Sequence, residues 1–74
     1  MKTKFIMNNH KYEYKLIYYT SKEMKTKFFN EKDKLIIDFM AVYCYSQNND
    51  VKEPIVEDKF GKRFTFSEFI ETNI

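Results

Sequence analysis

At Asn30 the hydrophobic pattern of this chain changes period, and that change constrains its fold more than any other feature. Before it, apolar and charged residues alternate one by one; after it, they recur about every 3.6 residues. Alternation fits strands with one covered face, and the longer period fits a helix. A run of strands followed by a helix predicts an α+β domain.

The clearest strand is 11–19, where Tyr12, Tyr14, Leu16 and Tyr18 alternate with Lys11, Glu13 and Lys15. Residues 2–7 read as a strand before it, joined through Asn8-Asn9-His10, because Asn tolerates positive φ. A third strand is expected over 24–29 after a turn at Ser21-Lys22-Glu23. Thr20 and Glu23 also have the spacing of a capping box, with Tyr19 and Met24 as its staple, so a helix over 21–28 competes. The alternation of Lys25-Thr26-Lys27-Phe28 favours the strand. Met1-Lys2-Thr3-Lys4-Phe5 recurs as Met24-Lys25-Thr26-Lys27-Phe28, a repeat too short for a solenoid.

Residues 31–46 read as one long helix, with Asn30 as N-cap and Glu31 and Asp33 in the first turn. A helical wheel leaves a narrow polar stripe through Lys34 and Asp38, expected to pair at i,i+4. Apolar residues fill most of the remaining circumference, about twice the arc of an ordinary surface helix. Pro54 then introduces a hairpin, Ile55-Val56-Glu57 and Arg63-Phe64, turning at Asp58–Gly61 with Gly61 at positive φ. Thr65 and Glu68 form a capping box with Phe64 and Phe69 as staple, starting a terminal helix over 66–72. The expected order is β-β-β-α-β-β-α in one domain over 1–74: a three-stranded antiparallel meander with the long helix packed on it, then a short hairpin and C-terminal helix.

Composition excludes several function classes. With 74 residues and no glycine-rich loop, the chain has little with which to wall a catalytic cleft, and no enzyme is expected. The lone cysteine, Cys44, permits neither an internal disulfide nor a thiolate metal cluster, and reads as a buried small thiol. The one histidine, His10, lies in a polar turn far from it. A calcium-loop alignment on Gly61 fails, because Val56, Phe60 and Ser67 would occupy ligand positions. No metal or other cofactor is expected. The longest apolar run, Phe39–Tyr45, is far too short to span a membrane. No apolar stretch of signal-peptide length follows Met1, so a cytoplasmic setting is expected.

Two surfaces emerge as candidates. Under strict alternation, Phe5, Met7, Tyr12, Tyr14, Leu16, Tyr18, Met24 and Phe28 face the helix. Lys2, Lys4, Lys11, Lys15, Lys25 and Lys27 then share the opposite flank with Tyr19, offset by Glu13 alone. Charge is skewed the same way: residues 1–34 carry nine lysines against four acids, whereas residues 35–74 carry an acidic excess. The second surface is apolar, at Ile37, Met40, Tyr43 and Cys44, parts of which the terminal helix and hairpin are expected to cover.

The leading expectation is a non-catalytic protein-binding module, with an unidentified protein or a second copy of the chain as partner. Twelve lysines to one arginine, with six Asn and seven Ile, suggest an AT-rich gene of the kind common in phages and mobile elements. There such small proteins often inhibit a host enzyme or defence complex, anti-CRISPR proteins among them. The alternative is a small nucleic-acid-binding protein using the lysine flank without sequence specificity, since arginine, the usual reader of bases, is nearly absent.

Overall fold

The structure is a computed structural model that describes residues 12–73. The chain runs β1 (Tyr14–Tyr19), β2 (Met24–Phe29), α1 (Lys32–Asn49), β3 (Ile55–Asp58), β4 (Arg63–Phe64) and α2 (Phe66–Asn73). The α+β class and the order of these elements agree with expectation. The strand expected over 2–7 lies outside the described residues.

All four strands join one antiparallel sheet in the order β2-β1-β3-β4. The C-terminal hairpin is therefore no separate unit. It docks on β1 with Leu16 opposite Val56 and Ile17 opposite Ile55. With β2 on its other side, β1 has both edges occupied over Tyr14–Ile17, so β3 takes the place beside β1 that the expected meander gave to the strand over 2–7. Residues 24–29 form a strand and not a helix turn.

One face of the sheet carries both helices. Leu16, Leu35, Phe39, Val56 and Phe69 are fully enclosed, each from a different element except the α1 pair. Phe39 is the hub, with its ring 5.2 Å from Phe66 and 5.8 Å from Phe69, both edge-on. Phe69 also meets Tyr14 at 5.7 Å and Phe64 at 5.6 Å, so the staple expected at the start of α2 forms. Its capping box closes as well: Thr65 N–H donates to Glu68 Oε1 at 2.9 Å, and Glu68 N–H to Thr65 Oγ1 at 3.2 Å. The β3–β4 turn has Gly61 at φ 88°, and Asp58 Oδ1 accepts from the N–H groups of Phe60 and Lys62, both at 2.9 Å.

Helix α1 starts and stops later than its sequence suggests. Glu31, in extended conformation, is the N-cap without a side-chain hydrogen bond, and its carbonyl accepts from Leu35 N–H at 3.1 Å. Asn30 thus sits one residue too early to cap. The amide-rich run Gln47-Asn48-Asn49 continues the helix. The stop comes at Asp50, which adopts left-handed geometry (φ 54°, ψ 45°) with its N–H on the Ser46 carbonyl.

Candidate docking surfaces

The faces of β2 are set by the turn that precedes it. Thr20 N–H donates to the Glu23 carbonyl at 2.8 Å, leaving only Ser21 and Lys22 between the paired residues. The Thr20 hydroxyl braces this turn, accepting from the N–H groups of Lys22 and Glu23 at 3.1 Å each and donating to the Glu23 carbonyl at 3.3 Å. The capping-box signal at Thr20 and Glu23 therefore serves a hairpin. The resulting register places Tyr19 opposite Met24, Ile17 opposite Thr26 and Leu16 opposite Lys27.

A three-residue turn at Ser21-Lys22-Glu23 would have placed Leu16 opposite Phe28. The one-residue difference sends every β2 side chain to the other face. Lys25 and Lys27 accordingly stand on the helix side, opposite Tyr18 and Leu16, while Lys15 stands on the outward side. The common flank expected for the six lysines is thus not formed by the described three. Lys2, Lys4 and Lys11 lie outside the described residues, as does His10.

Each described lysine of that set is also ion-paired. Lys15 Nζ lies 3.4 Å from Glu57 Oε1, and Lys25 Nζ 3.4 Å from Glu23 Oε2. Lys27 Nζ lies 3.0 Å from Asp38 Oδ2 on α1, and this hydrogen bond raises the Lys27 pKa above the ordinary lysine value. Asp38 therefore pairs across elements and not with Lys34, which instead approaches Glu31 at 3.9 Å.

What the register brings to the outward face is apolar. Met24 is 60% exposed and Phe28 48%, although both were expected inward. Phe28 stacks on Tyr12, also expected inward, with ring centroids 4.5 Å apart. Tyr19 is on this face as expected, beside Met24, with Lys52 Nζ 5.2 Å from its ring centre. Ile17 and Ile55, both half-buried, form its floor, with the exposed Thr26 opposite Ile17. A charged rim borders it: Glu57 Oε1 is enclosed between Lys15 Nζ and Arg63 Nη2, at 3.4 and 3.8 Å, and Lys59 bonds Glu13 at 3.2 Å.

The hollow beside Tyr12, Phe28 and Lys15 has a volume of about 210 Å³. Small-molecule sites usually enclose ~300–1,000 Å³. Its charges are already paired, and the face is better suited to a broad contact than to an enclosed ligand.

The second candidate surface is the side of α1 turned away from the sheet. Ile37 is 68% exposed and Met40 49%, and Cys44 is exposed as well, contrary to the expectation of a buried thiol. A rotation of 100° per residue puts Ile37 and Cys44 opposite the arc of Leu35, Phe39 and Ser46 that meets the sheet. Helix α2 covers a different flank, where Tyr43 stacks on Phe66 at 4.7 Å. Tyr43 is half-buried there, so the expected apolar set is exposed at Ile37, Met40 and Cys44 and not at Tyr43.

The chain matches no family model, and no curated protein or solved structure is significantly similar to it. Function must therefore be reasoned from these surfaces. Among the described residues no group of three or more His, Cys, Asp and Glu could hold a metal ion, and no helix is long and apolar enough to cross a membrane.

The residues that sequence reasoning missed are Met24, Phe28 and Tyr12. One signal could have found them. Thr20 three residues before Glu23 fits a hydroxyl-braced turn as well as a helix cap, and the shorter turn fixes the register.

Proposed function

We propose that the chain is a non-catalytic protein-binding module that docks through the outward face of its sheet. The observation that carries this reading is the exposure of Met24 and Phe28 beside Tyr12 and Tyr19 on a four-stranded sheet. Methionine and aromatic residues are enriched at protein interfaces, because they offer large contact areas at modest entropic cost. The surrounding ion pairs form a polar rim. An inhibitor that works by occupying a host protein's surface, of phage or mobile-element origin, is the form of this reading that the lysine-rich, arginine-poor composition favours. Dispersal of Lys15, Lys25 and Lys27 over two faces, each ion-paired, weighs against a nucleic-acid groove.

A pull-down from lysate of the source cell, with and without nuclease, tests this. Capture of a protein that survives nuclease and is lost in Met24→Asp/Phe28→Asp, but survives Lys25→Glu/Lys27→Glu, is the expected result. Nuclease-sensitive capture, or capture that depends on the lysines and not on Phe28, overturns it.

A further inference from the structure

We propose that a second copy of this chain packs on the outward stripe of α1, the two helices running antiparallel about a two-fold axis near Met40 and Ala41. This goes beyond the docking reading and uses the opposite side of the molecule. Because α1 lies on the inner face of the sheet, pairing through its far side leaves both outward sheet faces free and pointing apart.

Three observations carry the inference. Ile37, Met40 and Cys44 recur at intervals of three and four, the spacing of a helix–helix seam, with the small Ala41 beside it. In antiparallel order such a stripe is self-complementary and pairs large residues with small ones. An axis at its centre sets the large Ile37 of one copy against the small Cys44 of the other, and the reverse, as an isologous interface requires.

Charge agrees with that orientation. The last turn of α1 holds no basic residue and ends on Asp50, so its negative dipole end has no cation of its own. Lys34, in the first turn, is held among the described residues by a 3.9 Å approach to Glu31 alone. Antiparallel pairing brings Lys34 of one copy to the C-terminal carbonyls of the other, and Asp33 to the uncharged Asn48. Parallel pairing would align like ends.

Area sets the strength. The exposed parts of Ile37, Met40, Ala41, Cys44 and Tyr45 offer on the order of 400 Å² per copy, or about 800 Å² for the pair, below the ~1,200 Å² of durable interfaces. A weak, reversible dimer is therefore expected.

Sedimentation of the full chain from about 5 to about 500 μM is the first test. The weight-average mass should rise from 9.1 kDa toward twice that value. Ile37→Asp, a change at an exposed position, should hold the chain monomeric, and Lys34→Glu should weaken association several-fold without altering any apolar residue. Orientation is read by oxidation. Ile37→Cys should cross-link readily to Cys44 of the second copy. In the wild type the two Cys44 residues stand about 10 Å apart along the axis at 1.5 Å per residue, beyond the ~7 Å Cα limit of a disulfide, and should not. A monomer throughout overturns the proposal. So does a wild-type chain that cross-links as fast as Ile37→Cys. Association abolished by Met24→Asp/Phe28→Asp but not by Ile37→Asp would move the self-contact to the sheet and overturn it too.

Discussion

Thr20→Val should do more than its place in a surface turn suggests. The substitution keeps the shape of the side chain and removes a hydroxyl engaged in three hydrogen bonds within the β1–β2 turn. At the low end for solvent-accessible neutral bonds, roughly 0.5 kcal/mol each, the loss is about 1.5 kcal/mol. A domain of this size commands only ~3–5 kcal/mol in all, so the chain stays folded but gives up roughly a third to a half of its stability. The competing register, closed by a three-residue turn, would bury Met24 and Phe28. Each is about half exposed, so each gains roughly 1 kcal/mol by the burial of an apolar side chain. Against that, Phe29 would turn outward, and the Lys27–Asp38 pair, worth about 0.5 kcal/mol at the surface, would break. The two registers lie close in energy, and the Thr20 hydroxyl tilts the balance. Cross-strand proton contacts read the result directly. The native register pairs Ile17 with Thr26, whereas the shifted one pairs Ile17 with Lys27. Thr20→Val should show the second set beside the first and a lowered urea midpoint, and Thr20→Ser should restore the native set. A Thr20→Val chain with only native contacts and stability within ~0.3 kcal/mol of wild type would refute the reasoning.

Phe39→Leu removes the ring that meets both Phe66 and Phe69 and should cost about 2 kcal/mol, which equilibrium urea unfolding measures; a loss under ~0.5 kcal/mol would mean that Phe39 is not the hub. The Lys27–Asp38 pair should give a pH signature of defined sign. Because the Lys27 pKa is raised in the folded chain, its stabilisation is complete below about pH 10.5 and fades as pH rises through the raised value. The stability difference between wild type and Lys27→Met, ~0.5 kcal/mol or less for so exposed a pair, should shrink between neutral and strongly alkaline pH; a difference that grows contradicts the pairing.

Local signals in the sequence were legible wherever a residue acts on its own neighbourhood. Gly61 in its turn, the Thr65–Glu68 box and the Phe64–Phe69 staple each involve partners within five positions, and each is found as expected. The existence of α1 was equally clear from its period. Its covered arc was not. A helix apolar around most of its circumference carries no internal sign of which side meets the sheet, and Cys44 and Tyr43 were misplaced for that reason. The pairing of β1 with β3 depends on residues some forty positions apart, beyond any local pattern. The faces of β2 failed differently. Alternation identifies which residues share a side, but only the closing pair of the turn says which side that is.

The same register links stability to docking. It leaves Met24 and Phe28 in water and confines the fully enclosed apolar core to Leu16, Leu35, Phe39, Val56 and Phe69 among the described residues. Free energy not gained in the isolated fold remains available to a partner that covers the outward face. A ligand present at about 100 times its Kd adds ~2.7 kcal/mol to the bound state, an amount comparable to the whole stability of so small a domain. Occupancy and folding are then coupled. The division of labour is also separable, because Phe28 contributes little to the enclosed core and Phe39 nothing to the outward face. A chain altered at Phe28 should fold and fail to dock, whereas one altered at Phe39 should dock with a Tm that recovers as partner is added.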